Sequence, residues 1–389
     1  MLGNDIQIKQ LVGVGDVHLS FQPQQRVYCL IGENGIGKTK CLEALFTAKF
    51  CSHKFSNKWV NNLRYISKPQ FIELSSHNIT LEFGFKNKPI DPSNQNPLRT
   101  STSIHDMALV YVSAYSRGYI EDNLSKIQQR KNGDINTFEI RRKDYIEKIV
   151  SILKGHNSFK EDQNGISIHE WIIQRAQSAN PYQAAEDNRE VEITTLLDLL
   201  NKVDERIDRK FLEISGNNRV FIKVSDKKTE LSELSSGFAS ILKIMQSIIA
   251  GYSYFTNEIN IARVKGVVFI DEIESHLHTK WQATIISTLK RLFPNTTFYI
   301  TTHSAIVLSQ LQHGEAYELY RDKEDGVVKT ELIEHPNNAA FVDLLKDAFD
   351  IDINKLKLAR DNAPQQKNAK KILTELLEKR INELKEGTQ

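Results

Sequence analysis

The chain has 389 residues, of which 40% are hydrophobic and 26% charged, and its formal net charge is +2. These values are typical of a soluble globular protein with about two or three domain-sized units, and the near balance of charge excludes a whole-chain attraction to nucleic acid. No apolar run approaches the ~20 residues of a membrane-spanning helix, and the first residues lack the pattern of a signal peptide, so we expect a cytoplasmic protein without a membrane partner.

The N-terminal part predicts three short strands followed by a phosphate-binding loop. Apolar segments at residues 6–11, 17–21 and 27–31 are predicted to form a β-meander, and the third runs into GENGIGKT at residues 32–39. This loop matches G-x-x-x-x-G-K-[ST], and a helix-like stretch follows it, which is the strand–loop–helix context that the motif requires.

The loop predicts a site for the phosphates of ATP and for Mg²⁺. Its glycines let backbone N–H groups turn inward around an anion, and the following helix adds the positive end of its dipole. Lys38 can reach the β- and γ-phosphates, while the hydroxyl of Thr39 can ligate Mg²⁺. The predicted nucleotide-binding residues of this segment are Gly32, Asn34, Gly35, Gly37, Lys38, Thr39 and Lys40.

The next segments predict more strands and then a helical insertion. Residues 79–85 and 107–112 are predicted strands, and the Asn-, Pro- and Ser-rich residues 86–103 between them a loop. From 113 to 216, helix-prone segments predict an insertion without the sustained heptads of a long coiled coil; they are residues 141–153, 168–176 and 191–211. Basic residues at 130–131 and 141–143 indicate either a solvated helix face or a contact with nucleic acid or an acidic partner.

The second half contains a serine-rich motif and an acidic motif. After a predicted strand at 220–224, Ser235, Ser236 and Gly237 precede an apolar helix at 239–252 and so predict a second anion site. Residues 267–270 are a continuous apolar run, typical of a parallel strand buried on both faces, and the run ends at Asp271 and Glu272.

Ligands of parallel sheets bind beyond the carboxyl ends of the strands. We therefore expect Asp271 to face Mg²⁺ and Glu272 to orient or deprotonate the attacking water. A helix at 277–292 and a strand at 296–301 are predicted next, and the strand leads into Thr302-His303-Ser304 and a helix at 305–311. Its position beside the acidic strand predicts that His303 reaches the γ-phosphate.

The remaining histidines of this region and the cysteines are predicted to be structural. His276 and His278 are interpreted as packing or interface residues, with a zinc site as an alternative that lacks a cysteine ligand. Cys29, Cys41 and Cys51 have no metal-ligand spacing and are predicted to be reduced thiols, and Cys29 and Cys41, which flank the phosphate loop, are predicted to be core residues.

The C-terminal part predicts a hairpin and a basic helical tail. The hairpin strands are residues 317–320 and 327–333, and helices are predicted at 339–347 and 370–384. The predicted division of the chain is an ATPase lobe in two parts, 1–112 and 217–335, with a helical insertion at 113–216 and a helical tail at 336–389.

GENGIGKT, ELSSGF, VVFIDEIESHLH and TTHS, in this order, resemble the motifs of ABC-type ATPase heads of the SMC/RecF-like branch, and most closely those of OLD nucleases and related phage-defence ATPases. The resemblance implies an α/β P-loop NTPase fold with a mixed sheet. It also implies that two heads enclose two ATP molecules, the loop of one chain facing Ser235 and Gly237 of the other. Asp271 then matches the Mg²⁺-linked acid, Glu272 the catalytic glutamate and His303 the switch histidine.

The sequence departs from the family pattern in three places. Ser236 and Phe238 replace the Gly and Gln of transporter ATPases, and no loop glutamine follows the strand near Val112, where Ser113-Ala114-Tyr115 stands. Only about seventy residues follow Glu318, too few for a complete Toprim nuclease domain. The pair Asp350 and Asp352 is interpreted as a surface helix entry.

These motifs favour an ATPase that dimerises on ATP and regulates a separately encoded nuclease or toxin in phage defence. One alternative is a RecF-like repair ATPase that clamps DNA, and a second is a nuclease with unrecognised acids. The expected partners are thus a second copy of the chain and an effector protein, with DNA as the alternative.

Overall fold

The computed structural model describes residues 3–56, 69–83, 98–115, 117–120, 138–155, 167–177 and 188–339, with residues 159, 182, 344, 346, 371–374 and 376. The chain forms two compact units, Met1–Ala339 and Ala340–Gln389. The basic pair 130–131 and the pair Asp350 and Asp352 lie outside the described residues. So does most of the two predicted C-terminal helices, although residues 371–374 are helical. The predicted domain boundaries stay a prediction.

A mixed sheet dominates the first unit. Within the described part of the chain it has eleven strands in the order β6-β5-β4-β1-β2-β14-β13-β3-β12-β11-β7. Their bounds are β1 Asp5–Leu11, β2 Gly15–Ser20, β3 Val27–Gly32, β4 Glu73–Ser76, β5 Ile79–Phe83, β6 Leu98–Thr102, β7 Ala108–Val112, β11 Gly266–Ile270, β12 Thr296–Thr301, β13 Ala316–Arg321 and β14 Val328–Leu332. Strands β8 Ile207–Ile214, β9 Val220–Val224 and β10 Lys227–Glu230 form a separate antiparallel sheet.

The centre of the large sheet is parallel and fully buried. Strands β13, β3, β12, β11 and β7 are parallel neighbours, and every residue of β3, β7 and β11 is buried. Helix α1 (Lys38–Cys51) packs on β3, β7 and β12, and helix α5 (Ser236–Ser253) packs on β7. Continuous apolar strand sequences are stable there because both faces are covered. This arrangement confirms the predicted α/β fold with a mixed sheet.

Two predictions about the antiparallel part are wrong. Strands β1 and β2 pair, but β14 and β13 lie between β2 and β3, so the first three strands are not a meander. The predicted loop 86–103 contains strand β6, which pairs with β5. Its sequence, LRTST, lacks the apolar alternation by which strands are predicted, and β6 is an edge strand of the sheet within the described residues.

The region between the ATPase motifs is less helical than predicted. Helices α2 (Phe138–Leu153), α3 (Ile168–Gln177) and α4 (Glu190–Val203) are present, but the third does not continue to residue 211. The carboxylate of Asp204 accepts a hydrogen bond from the backbone N–H of Arg206 at 3.1 Å. This local turn ends the helix, and β8 follows.

The helices predicted at 277–292 and 305–311 are shorter in the structure. Residues 277–292 form two helices, α6 (Thr279–Gln282) and α7 (Ile285–Leu292), and the backbone N–H of Ile286 bonds to the Gln310 side chain at 3.2 Å where α7 begins. Helix α8 is a single turn, Ala305–Leu308. The β13–β14 hairpin is confirmed. All three cysteines are free, Cys29 and Cys41 are buried as predicted, and Cys51 is buried as well. Within the described residues, no helix has the length and apolar character to cross a bilayer.

Candidate functional site

Four parallel strands end at the same edge of the sheet. The candidate functional residues of the first unit follow these strands, with the exception of the serine-rich motif. Strand β3 runs into the phosphate loop, β11 into Asp271 and Glu272, and β12 into Thr302 and His303. Strand β7 leads to Arg117. The sheet order β3-β12-β11-β7 makes these segments neighbours, which is the usual location of a ligand site in a parallel sheet.

The phosphate loop depends on glycines with positive φ. Gly32 has a φ of 134°, and a Cβ there would lie 2.5 Å from the carbonyl oxygen of Leu319. Gly37 has a φ of 111°, and its Cβ would lie 2.6 Å from a methyl group of Val14. No other residue fits both the backbone conformation and the space. The tip of the loop, including Asn34 and Gly35, is exposed to solvent.

Lys38 is held inside the loop. Its ammonium group donates hydrogen bonds to the carbonyl oxygens of Gly32 at 2.8 Å and Glu33 at 2.9 Å, and the side chain is buried. Burial lowers the pKa of Lys38, while the negative charges of Glu272 and Asp271 oppose that shift. The ammonium group therefore lies inside the loop that is predicted to bind the phosphates. Lys40, in contrast, is half-exposed and pairs with Glu43 at 2.8 Å.

Thr39 and Asp271 form the centre of the site. The Thr39 hydroxyl donates to the two carboxylate oxygens at 2.9 and 3.1 Å, and Thr301 donates to one of them at 2.7 Å. Burial raises the pKa of Asp271, although the hydrogen bonds from Thr301 and Thr39 lower it. A hydroxyl and a buried carboxylate in contact are the hard oxygen ligands that Mg²⁺ prefers. These residues fit the predicted metal.

Glu272 lies in a strained turn beside Asp271. Its φ is 44°, in the left-handed region that non-glycine residues rarely adopt. Its backbone N–H donates to the Thr301 hydroxyl at 2.7 Å, and its carboxylate accepts a hydrogen bond from the Ser275 hydroxyl at 2.9 Å. These contacts hold the backbone in its strained conformation, and strain of this kind is common at functional sites.

Arg117 binds the backbone of this turn, and its role was not predicted from the sequence. Its Nη2 donates to the carbonyl oxygens of Asp271 at 2.7 Å and Glu272 at 2.6 Å. The side chain is only 2% exposed, and its Nε and Nη1 have no hydrogen-bond partner within the described part of the chain. Burial lowers the pKa of Arg117 to about 10, while the charges of the neighbouring carboxylates oppose the shift. The sequence does contain a signal for this residue: an arginine stands shortly after a buried strand, in the segment where the loop glutamine of the family is absent.

Glu274 is the second residue that sequence reasoning missed. Its carboxylate accepts a hydrogen bond from the Thr302 hydroxyl at 2.6 Å and another from the backbone N–H of His303 at 2.6 Å. It thereby joins the turn after β11 to the turn after β12. His303 is exposed at this edge, and its backbone N–H is bound by Glu274, two residues after Glu272.

The serine-rich motif is located at the beginning of α5. Ser235 caps this helix by accepting a hydrogen bond from the Phe238 N–H at 3.4 Å, and Ser235 and Ser236 are exposed. A Cβ on Gly237 would lie 3.3 Å from the His276 carbonyl oxygen, and the Ser240 hydroxyl donates to the Ser275 carbonyl at 3.2 Å. The motif thus packs on the turn that follows Glu272.

Two other predicted groups have structural contacts. His278 caps α6, its Nδ1 accepting from the Lys280 N–H at 3.5 Å, while His276 has a φ of 67° and would clash with a side chain at Gly118. The solvated-face interpretation of residues 141–143 is wrong for Arg141, which is 2% exposed and donates to the Asn257 side chain at 3.0 Å.

Comparisons with known proteins find one matching family, several relatives and several solved structures. The family profile described as "AAA domain, putative AbiEii toxin, Type IV TA system" matches residues 27–309, well over half of the chain. Septu protein PtuA of Bacillus thuringiensis is 23% identical over 84% of this chain and 78% of its own length. The Retron Vc95 probable ATPase of Vibrio cholerae is 23% identical over 72% of this chain and 66% of its own length. Among solved structures, an SMC head bound to the C-terminal winged-helix domain of ScpA covers 86% of this chain and 98% of its own, at 11% identity and a TM-score of 0.44.

Proposed function

The chain belongs to the family described as AAA domain, putative AbiEii toxin, Type IV TA system, and we propose that it is an ATPase that dimerises on ATP and controls a separately encoded effector in anti-phage defence. The contact between the Thr39 hydroxyl and the Asp271 carboxylate, beneath the phosphate loop and beside Glu272, carries this proposal. Family membership confirms the resemblance to ATPase heads.

Within one chain, different residues bind the phosphates, Mg²⁺ and the attacking water. Backbone N–H groups of the loop and the ammonium group of Lys38 bind the phosphates. Thr39 and Asp271 would hold Mg²⁺, which neutralises charge on the phosphates when bound. Glu272 orients the attacking water and accepts its proton, and His303 donates to the γ-phosphate.

The exposed beginning of α5 supports a dimer. Ser235 and Ser236 present an anion site at the positive end of a long helix. The phosphate loop already provides an anion site within the same chain. A second anion site facing solvent therefore fits the γ-phosphate of a nucleotide that another copy holds.

The motifs and the relatives support different parts of the proposal. The resemblance of the motifs to those of phage-defence ATPases supports the defence role, and a relative named Retron Vc95 probable ATPase supports the ATPase chemistry. The motifs found here account for ATP chemistry and leave nucleic-acid cleavage unassigned. An effector supplied by a separate chain, either nuclease or toxin, completes the proposed function.

Purified protein tests this proposal directly. ATPase and nuclease activities are measured with and without duplex DNA, beside Lys38→Ala, with Lys9→Ala as a control for loss of a surface lysine. We expect Mg²⁺-dependent ATP hydrolysis that Lys38→Ala abolishes, and no cleavage of DNA. Retained ATP binding by Lys38→Ala would contradict the site. DNA cleavage by the wild-type protein would favour the nuclease alternative, and ATP-dependent DNA binding would favour the repair alternative.

A further inference from the structure

Glu274 holds the backbone on which His303 is carried. One carboxylate oxygen accepts the Thr302 hydroxyl and the other accepts the His303 N–H, both at 2.6 Å. Thr302 is fully buried, whereas the imidazole of His303 is exposed. Hydrogen bonds to an ionised carboxylate are shorter and stronger than neutral ones, so this pair fixes the turn after β12 firmly.

A carboxylate at residue 274 adds electrostatic repulsion to the site. Asp271 and Glu272 are close by, and the charges of all three act on the buried Arg117. A neutral cap such as serine or asparagine would satisfy one N–H without adding repulsion to two other acids. A carboxylate offers two separate acceptor oxygens in one side chain, and Glu274 uses one for the Thr302 hydroxyl and the other for the His303 N–H.

We propose that Glu274 is a positioning residue for hydrolysis: it sets the backbone at Thr302–His303 so that the His303 imidazole meets the γ-phosphate. The inference rests on the proposed ATPase function and adds a residue to it. Glu274 acts through His303 and does not itself contact the nucleotide. Its removal therefore affects turnover only while His303 is present.

A double-mutant cycle tests this dependence. The kcat and KM for ATP are measured for the wild-type protein, Glu274→Gln, His303→Ala and the double variant, together with the melting temperature. We expect Glu274→Gln to lower kcat by about tenfold or more, because a displaced catalytic group loses alignment, with KM changed by less than about threefold. On the His303→Ala background the same substitution should change kcat by less than about twofold.

Matched variants separate positioning from general damage. Thr302→Ser keeps the hydroxyl that donates to Glu274 and should retain turnover, whereas the isosteric Thr302→Val removes it and should lower kcat. Glu315→Gln is the control for loss of a buried carboxylate. Glu315 pairs with Lys290 and precedes β13, at the opposite edge of the parallel strands from the site. Its substitution should leave kcat unchanged.

Several outcomes would overturn the inference. They are a wild-type kcat in Glu274→Gln, an undiminished effect of Glu274→Gln in the absence of His303, and a loss of kcat that follows a parallel loss of melting temperature and nucleotide affinity. If the wild-type protein hydrolyses ATP, these outcomes reject the role of Glu274 alone. A wild-type protein without ATP turnover rejects the proposed function, and this inference with it.

Discussion

The hydroxyl of Thr39 donates one hydrogen bond that the two carboxylate oxygens of Asp271 share, at 2.9 and 3.1 Å, although the two residues are 232 positions apart in the chain. The contact exists because β3 and β11 are parallel strands that both pair with β12. It joins the phosphate loop to the acidic strand before any nucleotide enters. The first prediction concerns this pair.

Asp271→Asn should lower the rate of Mg²⁺-dependent ATP hydrolysis by about a hundredfold or more, because the buried carboxylate is the charged ligand that we propose for Mg²⁺. Burial raises the pKa of Asp271, so its contribution to folding is present below the ordinary aspartate pKa and is lost as the pH rises through the raised folded value. The nucleotide-free variant should therefore be at least as stable as the wild-type protein at neutral pH. Chemical denaturation checks this, and a clear loss of stability would contradict it.

Glu272→Gln should bind ATP and Mg²⁺ normally but hydrolyse ATP about 10²- to 10⁴-fold more slowly, because an amide cannot accept the proton of water. A closed ATP-bound dimer should accumulate, since hydrolysis no longer releases it. Light scattering with and without ATP measures the dimer, and a single-turnover assay measures hydrolysis. Normal turnover by this variant would show that Glu272 is not the catalytic residue.

Lys38→Ala and Ser235→Arg should each abolish hydrolysis, yet a mixture of the two should regain part of it. In a mixed dimer, one composite site combines the intact phosphate loop of the Ser235→Arg chain with the intact serine of the Lys38→Ala chain. The measurement is ATPase activity against mixing ratio, with each variant alone as the reference. A mixture that stays inactive, although the two chains associate, would contradict a site shared between chains.

Gly37→Ala should damage the nucleotide site more than Gly35→Ala. Both glycines have positive φ, at 111° and 83°, so each alanine is strained by about 1–2 kcal/mol. Only Gly37 also faces a close neighbour, since its Cβ would lie 2.6 Å from Val14, whereas Gly35 has open space. ATP affinity by calorimetry and the melting temperature measure the difference. Equal effects would mean that backbone strain, and not the contact with Val14, determines the loss of affinity.

The stability of the protein should fall in acid partly because of His53. Burial, followed by the charge of His105, lowers the pKa of His53 to about 3, so the imidazole stays neutral in the folded state while the unfolded chain binds a proton below about pH 6.5. The free energy of unfolding should therefore decrease by about 1.4 kcal/mol for each pH unit between about 6.5 and 3 from this group.

His53→Asn removes that titration and keeps an acceptor for the Phe55 N–H, which now bonds to the His53 Nδ1 at 3.2 Å. Denaturation at several pH values should show a shallower slope in this variant. His77→Asn removes an exposed imidazole and should leave the slope unchanged. An identical slope in His53→Asn and the wild-type protein would contradict the assignment.

Local sequence predicted the parallel strands and the phosphate loop because their signals are local. A strand buried on both faces needs a continuous apolar run, as in β3 and β11, and the loop needs glycine where φ is positive, as at Gly37. Predictions failed where a long-range partner decides. The polar strand β6 lies at the sheet edge, and β13 and β14 separate β2 from β3 although they come last in the first unit.

By itself, the sequence determined the residue types of the candidate site: a lysine and a hydroxyl after a glycine loop, two acids after one strand and a histidine after another. Only the tertiary structure decided which groups hold these residues in place. Arg117 belongs to no motif, and Glu274 lies within VVFIDEIESHLH without an expected role. The roles of both come from backbone atoms of Asp271, Glu272 and His303 that they contact. Those contacts depend on the order of parallel strands in the sheet, because hydrogen bonds between segments far apart in the chain form only when the fold brings their atoms within about 3 Å.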